Sequence, residues 1–311
     1  MTPFRFCLVS ASLVCFGLLT GKLTVSAAPL RVVSYNVENL FYPERDSLNP
    51  DTIFTPNGER RWSYTRYYRK EENIARVLTN IGEWEGVDIV GLQEVESAMC
   101  VKRLCYTMRR NEYDFVHYDS SDKRGIDVAL IYKKARIDTI ATKAIRVELG
   151  ELTTRDILYV CARVDKRDTL HLFVCHMPSQ LGGASETDWK RNAAKGTLQQ
   201  VVDSILTAQP QANIIVMGDM NSAPKEDISG LRNKMVGMKG THKYQGQWTC
   251  LDQFYVSSSL DSISSARIYD AAWIQEQDEK YLGLRPKRTY NGFHYQNGFS
   301  DHLPIVLECR K

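Results

Sequence analysis

Apolar residues recur along the chain with two spacings, one typical of amphipathic helices and the other of short buried strands. Three segments have the helical spacing: residues 65–82, residues 98–110 and Leu198–Ile205. In the first segment the apolar positions are Ile74, Val77, Leu78 and Ile81. Gly82 is a typical stop signal for the first of these helices.

Short apolar runs between polar or turn-forming residues predict strands. They are Leu30–Asn36, Val87–Leu92, Tyr113–His117, Val128–Tyr132, Ile137–Arg146, Ile157–Val164, Leu170–Cys175, Asn213–Met217, Thr249–Val256 and Leu303–Leu307. The turn Asp165–Asp168 between two of them indicates a hairpin. Many strands, some in hairpins and interrupted by a few long helices, favour an α+β fold with two packed β-sheets.

Residues 1–27 have a pattern of their own. Arg5 supplies a positive charge, Phe6–Thr20 is apolar and uncharged, and Val25–Ala27 offers a cleavage site of small residues. This is the layout of a secretory signal peptide, too short and wrongly flanked for a membrane span. We therefore expect residues 1–27 to be removed and residues 28–311 to form one domain, periplasmic or secreted. An uncleaved N-terminal anchor is the alternative.

Composition is that of an ordinary globular protein, with 43% hydrophobic and 25% charged residues in 311, and no linker or repeat divides it. Loss of Arg5 and Lys22 with the leader lowers the formal net charge from +3 to +1, so attraction to a polyanion has to come from local patches. Two stretches qualify, residues 60–70 and 280–295, where basic and aromatic residues are interleaved. The six remaining cysteines include no Cys-x-x-Cys pair, which argues against structural zinc and leaves their pairing open.

Polar side chains occur where several predicted strands end. Asn36 closes the first strand, and Glu94, His176 and Asp219 each follow an apolar run. Side chains at such positions can converge on one edge of the sheets, held on rigid elements. Because burying these groups is costly unless they are paired or bind an ion, the pattern predicts a functional site.

The polar residues form five clusters, Ser34–Asn39, Leu92–Val95, Val174–Ser179, Met217–Ser222 and Phe299–Pro304. Together they supply what hydrolysis of a phosphodiester requires: ligands for a metal, a base for water and a stabiliser for the leaving oxygen. Oxygen ligands without a thiolate cage favour Mg²⁺, with Mn²⁺ as the other candidate.

Read in order, the clusters are Asn-Val-x-Asn, Gln-Glu-Val, His-x-Pro-Ser, Gly-Asp-x-Asn and Ser-Asp-His. This order resembles the endonuclease/exonuclease/phosphatase superfamily, which includes deoxyribonucleases, abasic-site endonucleases, sphingomyelinases and inositol polyphosphate 5-phosphatases. The resemblance extends from Val33 to Ile305. It implies a four-layer α/β/β/α sandwich with two mixed β-sheets, and a metal-dependent phosphoric ester hydrolase.

The resemblance also implies metal-site residues. Glu94 would be the main metal ligand, and Asn36 and Glu38 would support the metal and its water shell. Asp301 would lie near the metal as well.

Five further residues match catalytic positions of the superfamily. Asp219 would align or deprotonate the attacking water, and Asn221 would position the phosphate. His302 would contact the scissile phosphate, with Asp252 orienting its imidazole. His176 matches the second histidine of deoxyribonuclease-like members, whereas abasic-site endonucleases carry a tyrosine there. The resemblance is therefore closer to the deoxyribonucleases.

Other residues allow two interpretations. Arg124 and Asp127 form either a phosphate-contacting turn or a structural ion pair, and Arg191 faces either the site or solvent. The two basic and aromatic stretches either wall a nucleic-acid groove or pack with snorkelling arginines; Tyr64 and Tyr68 would then belong to the core.

Three functions fit these features. We expect an exported, monomeric nuclease acting on DNA or RNA, because of the two histidines, the leader and the basic and aromatic stretches. The alternative is the same site acting on a membrane lipid headgroup, a phosphoinositide or a small phosphate ester, with Tyr290–Tyr295 as the hairpin for membrane contact. The third is a non-catalytic binding or virulence module, and the complete set of polar groups argues against it.

Overall fold

The structure, a computed structural model, describes residues 28–44, 53–109, 111–180, 182–225 and 227–310. The predicted signal segment, residues 1–27, lies outside the described residues. Within the described ranges, no helix has the length and apolar character needed to cross a membrane.

Strands and helices alternate along the chain much as their spacing predicts. Through residue 208 they are β1 (Leu30–Leu40), α1 (Tyr64–Gly82), β2 (Ile89–Val95), α2 (Ala98–Arg109), β3 (Tyr113–His117), β4 (Asp127–Lys133), β5 (Ile137–Ile145), β6 (Ile157–Val164), β7 (Asp168–His176) and α3 (Ala184–Ala208). The rest are β8 (Asn213–Asp219), β9 (Leu231–Asn233), β10 (His242–Tyr244), β11 (Gln247–Thr249), β12 (Asp252–Ser257), α4 (Ser258–Asp261), β13 (Ser264–Ile268), a 3₁₀ turn (Ala272–Ile274), β14 (Gln275–Gln277), β15 (Leu284–Pro286), β16 (Tyr290–Asn291), β17 (His294–Tyr295) and β18 (Ile305–Cys309).

Two six-stranded sheets organise the fold, with the orders β13–β18–β1–β2–β4–β3 and β5–β6–β7–β8–β12–β9. Both are mixed: β1 and β2 are parallel in the first, and β7 and β8 in the second. A parallel pair needs a long crossover, which α1 and α3 provide. The predicted hairpin through Asp165–Asp168 joins the antiparallel strands β6 and β7.

Three apolar clusters separate the secondary structure into four layers. Val32 and Val33 of β1 show the alternation: Val32 packs between the two sheets, whereas Val33 packs beneath α1 and α2. On the far side, α3 covers the second sheet through Leu198 and Val202. The expected α/β/β/α sandwich is confirmed.

Local chemistry explains where α1 begins and ends. The hydroxyl of Ser63 accepts a hydrogen bond from the amide of Arg66 (3.4 Å) and so caps the first turn. At Gly82, a Cβ atom would lie 2.7 Å from the amide nitrogen of Val87, so glycine lets the chain turn back into the sheet. The predicted stop at Gly82 is confirmed.

The predicted strand Thr249–Val256 is wrong, because the chain turns within it. β11 ends at Thr249 and β12 begins at Asp252. The hydroxyl of Thr241 accepts from the amides of both Leu251 and Asp252 (3.1 and 3.2 Å), which removes these amides from a continuous ladder. The six cysteines, whose pairing the sequence left open, are free thiols.

Candidate active site

The predicted site residues lie at the ends of neighbouring strands. In the second sheet, His176 of β7 is paired with Asp219 of β8, which is paired in turn with Asp252 of β12. In the first sheet, Asn36 of β1 lies opposite the residue that precedes Glu94 in β2. Parallel strands end at the same edge of a sheet, and crevices at that edge are where such folds bind ligands.

Irregular backbone at the ends of β1 and β2 sets the direction of two carboxylates. The β1–β2 register shifts between Asn36 and Leu40, and the β2–β4 register shifts across Glu94. Glu38, Asn39 and Glu94 have φ angles of 53°, 56° and 66°, in the left-handed region that side chains disfavour. Bulges of this kind re-aim side chains and cluster at functional sites.

Gly218 lets β7 and β8 carry His176 and Asp219 side by side. Its φ is 141°, and a Cβ atom at this position would lie 1.9 Å from the carbonyl oxygen of Cys175. No side chain fits at that distance. The glycine of the Gly-Asp-x-Asn motif is therefore required by the backbone rather than by the chemistry.

Side chains from both sheets meet at Asp219. The Nδ2 atom of Asn36 donates to Oδ2 of Asp219 (3.1 Å) across the two sheets. His176 Nε2 lies 3.7 Å from the same oxygen and 4.0 Å from Oε1 of Glu94. His302 Nε2 lies 3.9 Å from Asp219 Oδ2. One carboxylate oxygen thus faces an amide and two imidazoles.

Asp252 orients the imidazole of His302 and stabilises its protonated form. Its Oδ2 lies 2.7 Å from His302 Nδ1, and its side chain is fully buried. Burial by itself lowers the pKa of His302, but the charges of Asp252, Asp219 and Asp301 outweigh it and raise that pKa well above its usual value. His302 is therefore an imidazolium, and its Nε2–H is available to a phosphate oxygen.

His176 differs from His302 in its charge. Burial, together with the charges of Arg155, Arg124 and His302, lowers its pKa well below the usual value, so the ring is neutral. Its Nδ1 is buried and has no hydrogen-bond partner in the part of the chain that is described. The two histidines therefore offer different chemistry, one a cation and the other a neutral donor or acceptor.

Asp219 and Asn221 form a compact turn after β8. The amide of Asn221 donates to Oδ1 of Asp219 (2.8 Å), and its Nδ2 donates to the carbonyl of Met177 (3.0 Å). Burial raises the pKa of Asp219 to about 6, with His302 acting in the opposite direction. A carboxylate with this pKa is ionised at neutral pH and is basic enough to accept a proton from water.

Glu38 and Asp301 belong to a charged network beside these residues. Glu38 Oε2 accepts from the amide of Thr289 (2.6 Å) and lies 3.9 Å from Lys70 Nζ. Arg288 donates to Oδ2 of Asp301 (2.6 Å) and lies 3.8 Å from Glu38. Burial raises the pKa of Glu38 to about 7, Asp301 adds to this, and Lys70 and Arg288 oppose it. Cations thus hold both carboxylates, whose place near the metal stays a prediction.

Glu94 offers an oriented carboxylate to a hard divalent cation. The Oδ1 atom of Asn36 accepts from the amide of Glu38 (3.1 Å), and its role at the metal stays a prediction. Glu94 Oε2 accepts from the amide of Asn39 (2.9 Å) and lies 3.8 Å from Arg124, which orients the carboxylate and leaves lone pairs for an ion. Mg²⁺ binds through one or two carboxylates and keeps several waters, so this donor set is sufficient. Burial raises the pKa of the Cys175 thiol, so no thiolate competes from that strand.

The structure adds two residues that the sequence did not indicate. Arg155 donates to the carbonyl oxygens of His176 (3.3 Å) and Met177 (2.9 Å) and so holds the end of β7. The ring of His242 lies 4.9 Å from that of His302, centroid to centroid. Neither residue belongs to a motif or follows a long apolar strand, so no local signal could have identified them.

Two arginines with alternative interpretations now have defined contacts. Arg124 donates to Oδ1 of Asn39 (2.7 Å) beside Glu94, which places it at the site. Arg191 is 2% exposed and donates to the carbonyls of residues 178 and 179. It supports the loop after His176, so the interpretation that Arg191 faces solvent is wrong.

The two basic and aromatic stretches pack against each other. The guanidinium of Arg66 lies over the ring of Tyr295, 4.6 Å from its centroid. Tyr64 and Tyr68 are 37% and 38% exposed, so their assignment to the core is wrong.

A cavity of about 360 Å³ reaches the site from the side of Arg288 and Asp301. Its lining combines the rings of Tyr244 and Tyr281 with three cations, Lys243, Lys280 and Arg285. Lys243 pairs with Asp278, which also lines the cavity (2.9 Å), and Arg285 pairs with Glu276 (2.8 Å). A larger cavity of about 660 Å³, between α2 and β3, contains none of the predicted site residues.

Solved structures with the same fold are distant in sequence. A truncated TDP2 from Caenorhabditis elegans is 17% identical, with a TM-score of 0.58 over 91% of this chain and 98% of that chain. A mannosyl-6-phosphatase from Bacteroides thetaiotaomicron is 15% identical, with a TM-score of 0.55 over 89% and 98%. TDP2 from D. rerio, complexed with a single-strand DNA product, is 16% identical, with a TM-score of 0.53 over 91% and 99%. These likenesses show the fold alone. Comparison with curated protein sequences finds no match.

The sequence itself assigns the family. Residues 31–311 match the Endonuclease/Exonuclease/phosphatase family, which covers nearly all of the described chain. The carboxylates, amides and imidazoles at the strand ends supply the groups that metal-assisted ester hydrolysis needs. The chain belongs to the Endonuclease/Exonuclease/phosphatase family and is a divalent-metal-dependent phosphoric ester hydrolase.

Proposed function

We propose that the protein is an exported nuclease that hydrolyses phosphodiester bonds of DNA or RNA, with Mg²⁺ or Mn²⁺ held at Glu94. The observation that carries this proposal is the cavity beside Arg288 and Asp301, which Tyr244 and Tyr281 line together with basic groups. Aromatic rings that stack on bases, together with cations that meet phosphates, are how proteins hold single strands. A small phosphate ester would leave these rings unused.

The residues divide the reaction between them. Glu94 and Asn36 would hold the cation, which supplies a Lewis acid for the phosphoryl oxygens. Asp219 accepts a proton from water as the water oxygen bonds to phosphorus. His302, kept protonated by Asp252, donates a hydrogen bond to the phosphate oxygen on which negative charge develops. The phosphorus–oxygen bond to the leaving group then breaks, and the leaving oxygen keeps the electron pair and takes up a proton from water.

Neutral His176 and the turn at Asn221 complete the proposed site. His176 donates a hydrogen bond to a phosphate or leaving oxygen, and Asn221 positions the phosphate. Arg155 donates to the carbonyls of residues 176 and 177, and Asn221 donates to the carbonyl of residue 177. These hydrogen bonds hold this side of the site in place.

Substrate panels with matched variants test the proposal. The wild-type protein is offered plasmid DNA, single-stranded DNA, RNA, sphingomyelin vesicles, phosphoinositides and sugar phosphates, each with Mg²⁺ or with EDTA. We expect Mg²⁺-dependent cleavage of nucleic acid that is lost in Glu94→Ala and His176→Ala. Glu85→Ala, an exposed carboxylate outside the site, serves as control. Nuclease activity that is equal in wild type and in both site variants would refute the proposal.

Two observations support alternatives. The structural neighbour named a mannosyl-6-phosphatase favours a phosphate monoester, and Phe293, 65% exposed in the β16–β17 hairpin, favours a lipid surface. Release of phosphate from sugar phosphates, or of phosphocholine from vesicles, without DNA cleavage would support them. Normal cellular function of a Glu94→Gln, Asp219→Asn double variant would support a non-catalytic module.

Export is part of the proposal and rests on residues 1–27. Their positive start, apolar run and small-residue end are typical of a cleavable leader. We expect protein recovered from the periplasm or medium to begin at Ala28 and to sediment as a monomer. Recovery of the chain with residues 1–27 attached, from the cytoplasm or a membrane, would refute export with cleavage.

A further inference from the structure

A second group of metal-ligating side chains lies outside the proposed chemistry, at the outer edge of the first sheet. His117 ends β3, Asp119 follows it in the loop, and Asp127 begins β4. One ligand atom from each lies within 4.8 Å of the other two.

His117 faces both carboxylates without bonding to either. Its side chain is 2% exposed, with Nδ1 3.8 Å from Asp119 Oδ1 and Nε2 3.8 Å from Asp127 Oδ2, both beyond hydrogen-bond length. The buried Nε2 has no hydrogen-bond partner among the described residues, which is uncommon for such an atom.

We propose that His117, Asp119 and Asp127 bind a divalent transition-metal ion, Zn²⁺ or Mn²⁺, distinct from the catalytic cation. Metal–ligand bonds of about 2.0–2.2 Å allow two ligand atoms to lie up to about 4 Å apart, which accommodates the 3.8 Å separation of His117 Nε2 and Asp127 Oδ2. The Asp119 carboxylate, within 4.8 Å of the other ligand atoms and 74% exposed, has to move towards the ion to bind it. Imidazole with carboxylates suits these ions, whereas Ca²⁺ and Mg²⁺ prefer oxygen alone. Water completes the coordination.

The ion fixes the loop of residues 118–126. Asp127 Oδ1 accepts from the amide of Ser120 (3.0 Å), which closes this loop onto β4. From the same loop, Arg124 lies 3.8 Å from Glu94. The ion is therefore structural, and it supports the segment that brings a guanidinium to the active site.

Zinc stoichiometry tests the site directly. The protein is dialysed against Zn²⁺ with excess Mg²⁺ to occupy the catalytic position, and bound zinc is counted by mass spectrometry. We expect His117→Gln to bind one Zn²⁺ fewer than wild type. His171→Gln, which removes another buried imidazole, whose Nδ1 lies 2.8 Å from the hydroxyl of Tyr159, should retain the wild-type count. Equal zinc in wild type and His117→Gln overturns the proposal.

Limited proteolysis provides a readout independent of activity. Lys123 and Arg124 are exposed in the loop, so trypsin cleavage there should slow roughly tenfold or more with Zn²⁺ in wild type and in His171→Gln. Zinc should have no such effect in His117→Gln. If that variant does not fold, Asp119→Asn replaces it, since Asp119 is 74% exposed and its amide should weaken zinc affinity roughly tenfold or more. Equal zinc protection in wild type and variant contradicts the site.

Discussion

Replacing Gly218 by alanine tests whether backbone contact between β7 and β8 positions the active site. The added Cβ would lie 1.9 Å from the carbonyl oxygen of Cys175, and 2.8 and 2.9 Å from its carbonyl carbon and amide nitrogen. All three are backbone atoms of a paired strand, so no side-chain rotation relieves the clash. The φ of 141° adds strain, because alanine disfavours that region.

The required movement can be worked out from these distances. Carbon–oxygen contacts are normally about 3.3–3.6 Å, so β7 and β8 must separate by about 1.4 Å at residue 218. Asp219 is the next residue, and its 3.7 Å contact with His176 spans the same two strands. Misplacement of about 1 Å can lower a rate about 100-fold. We expect that loss in kcat/KM, with a loss of about 3 kcal/mol in the free energy of unfolding.

Hydrolysis of bis(p-nitrophenyl) phosphate with Mg²⁺ measures the rate, and urea denaturation followed by circular dichroism measures the stability. Gly196→Ala is the matched control, because a Cβ at that helical position would have nothing within 4 Å apart from its chain neighbours and the backbone of its own helix. Its rate should be unchanged and its stability higher by up to about 1 kcal/mol. If Gly218→Ala matches wild type in rate and stability, the inferred close approach of the strands is wrong.

Three further predictions concern charge and metal. Asp252→Asn removes the charge that raises the pKa of His302. Because the imidazolium is lost as pH rises through that pKa, the basic limb of the pH–rate profile should move to lower pH. We also expect kcat/KM to be about 10²–10⁴-fold lower. An unchanged profile would contradict this. Lys70→Met removes the cation beside buried Glu38, and urea denaturation should show that the free energy of unfolding falls by about 3–5 kcal/mol. Lys102→Met, at an exposed position, should change it by less than about 0.5 kcal/mol. Equal effects of the two substitutions would refute the buried contact. EDTA should abolish hydrolysis and added Mg²⁺ or Mn²⁺ restore it, whereas full activity after thorough chelation would exclude the metal.

Secondary structure and the location of the site were readable from the sequence because both depend on local pattern. The apolar face of Ile74 and Leu78 specifies α1. Glu94 and Asp219 follow apolar runs, so they had to emerge at strand ends. The break between β11 and β12 was not readable, because it depends on Thr241, which is 10 residues from Leu251 along the chain.

Residues that act through distant contacts also escaped the sequence. Arg155 acts on the carbonyl of His176, 21 residues away. His242 acquires significance only because His302 packs against it. Spacing along the chain carries no information about such pairs, since the sheet order brings them together.

The sequence by itself determined the family, the layered architecture and the kinds of group that gather at one edge of the sheets. Only the tertiary structure decided their charges. His176 and His302 are the same residue type at strand-edge motifs, yet the first is neutral and the second is cationic. The cause is spatial: burial and nearby arginines disfavour a proton on His176, whereas Asp252, 50 residues earlier in the chain, stabilises one on His302. A pKa reflects desolvation and neighbouring charges in three dimensions, which only the folded chain defines.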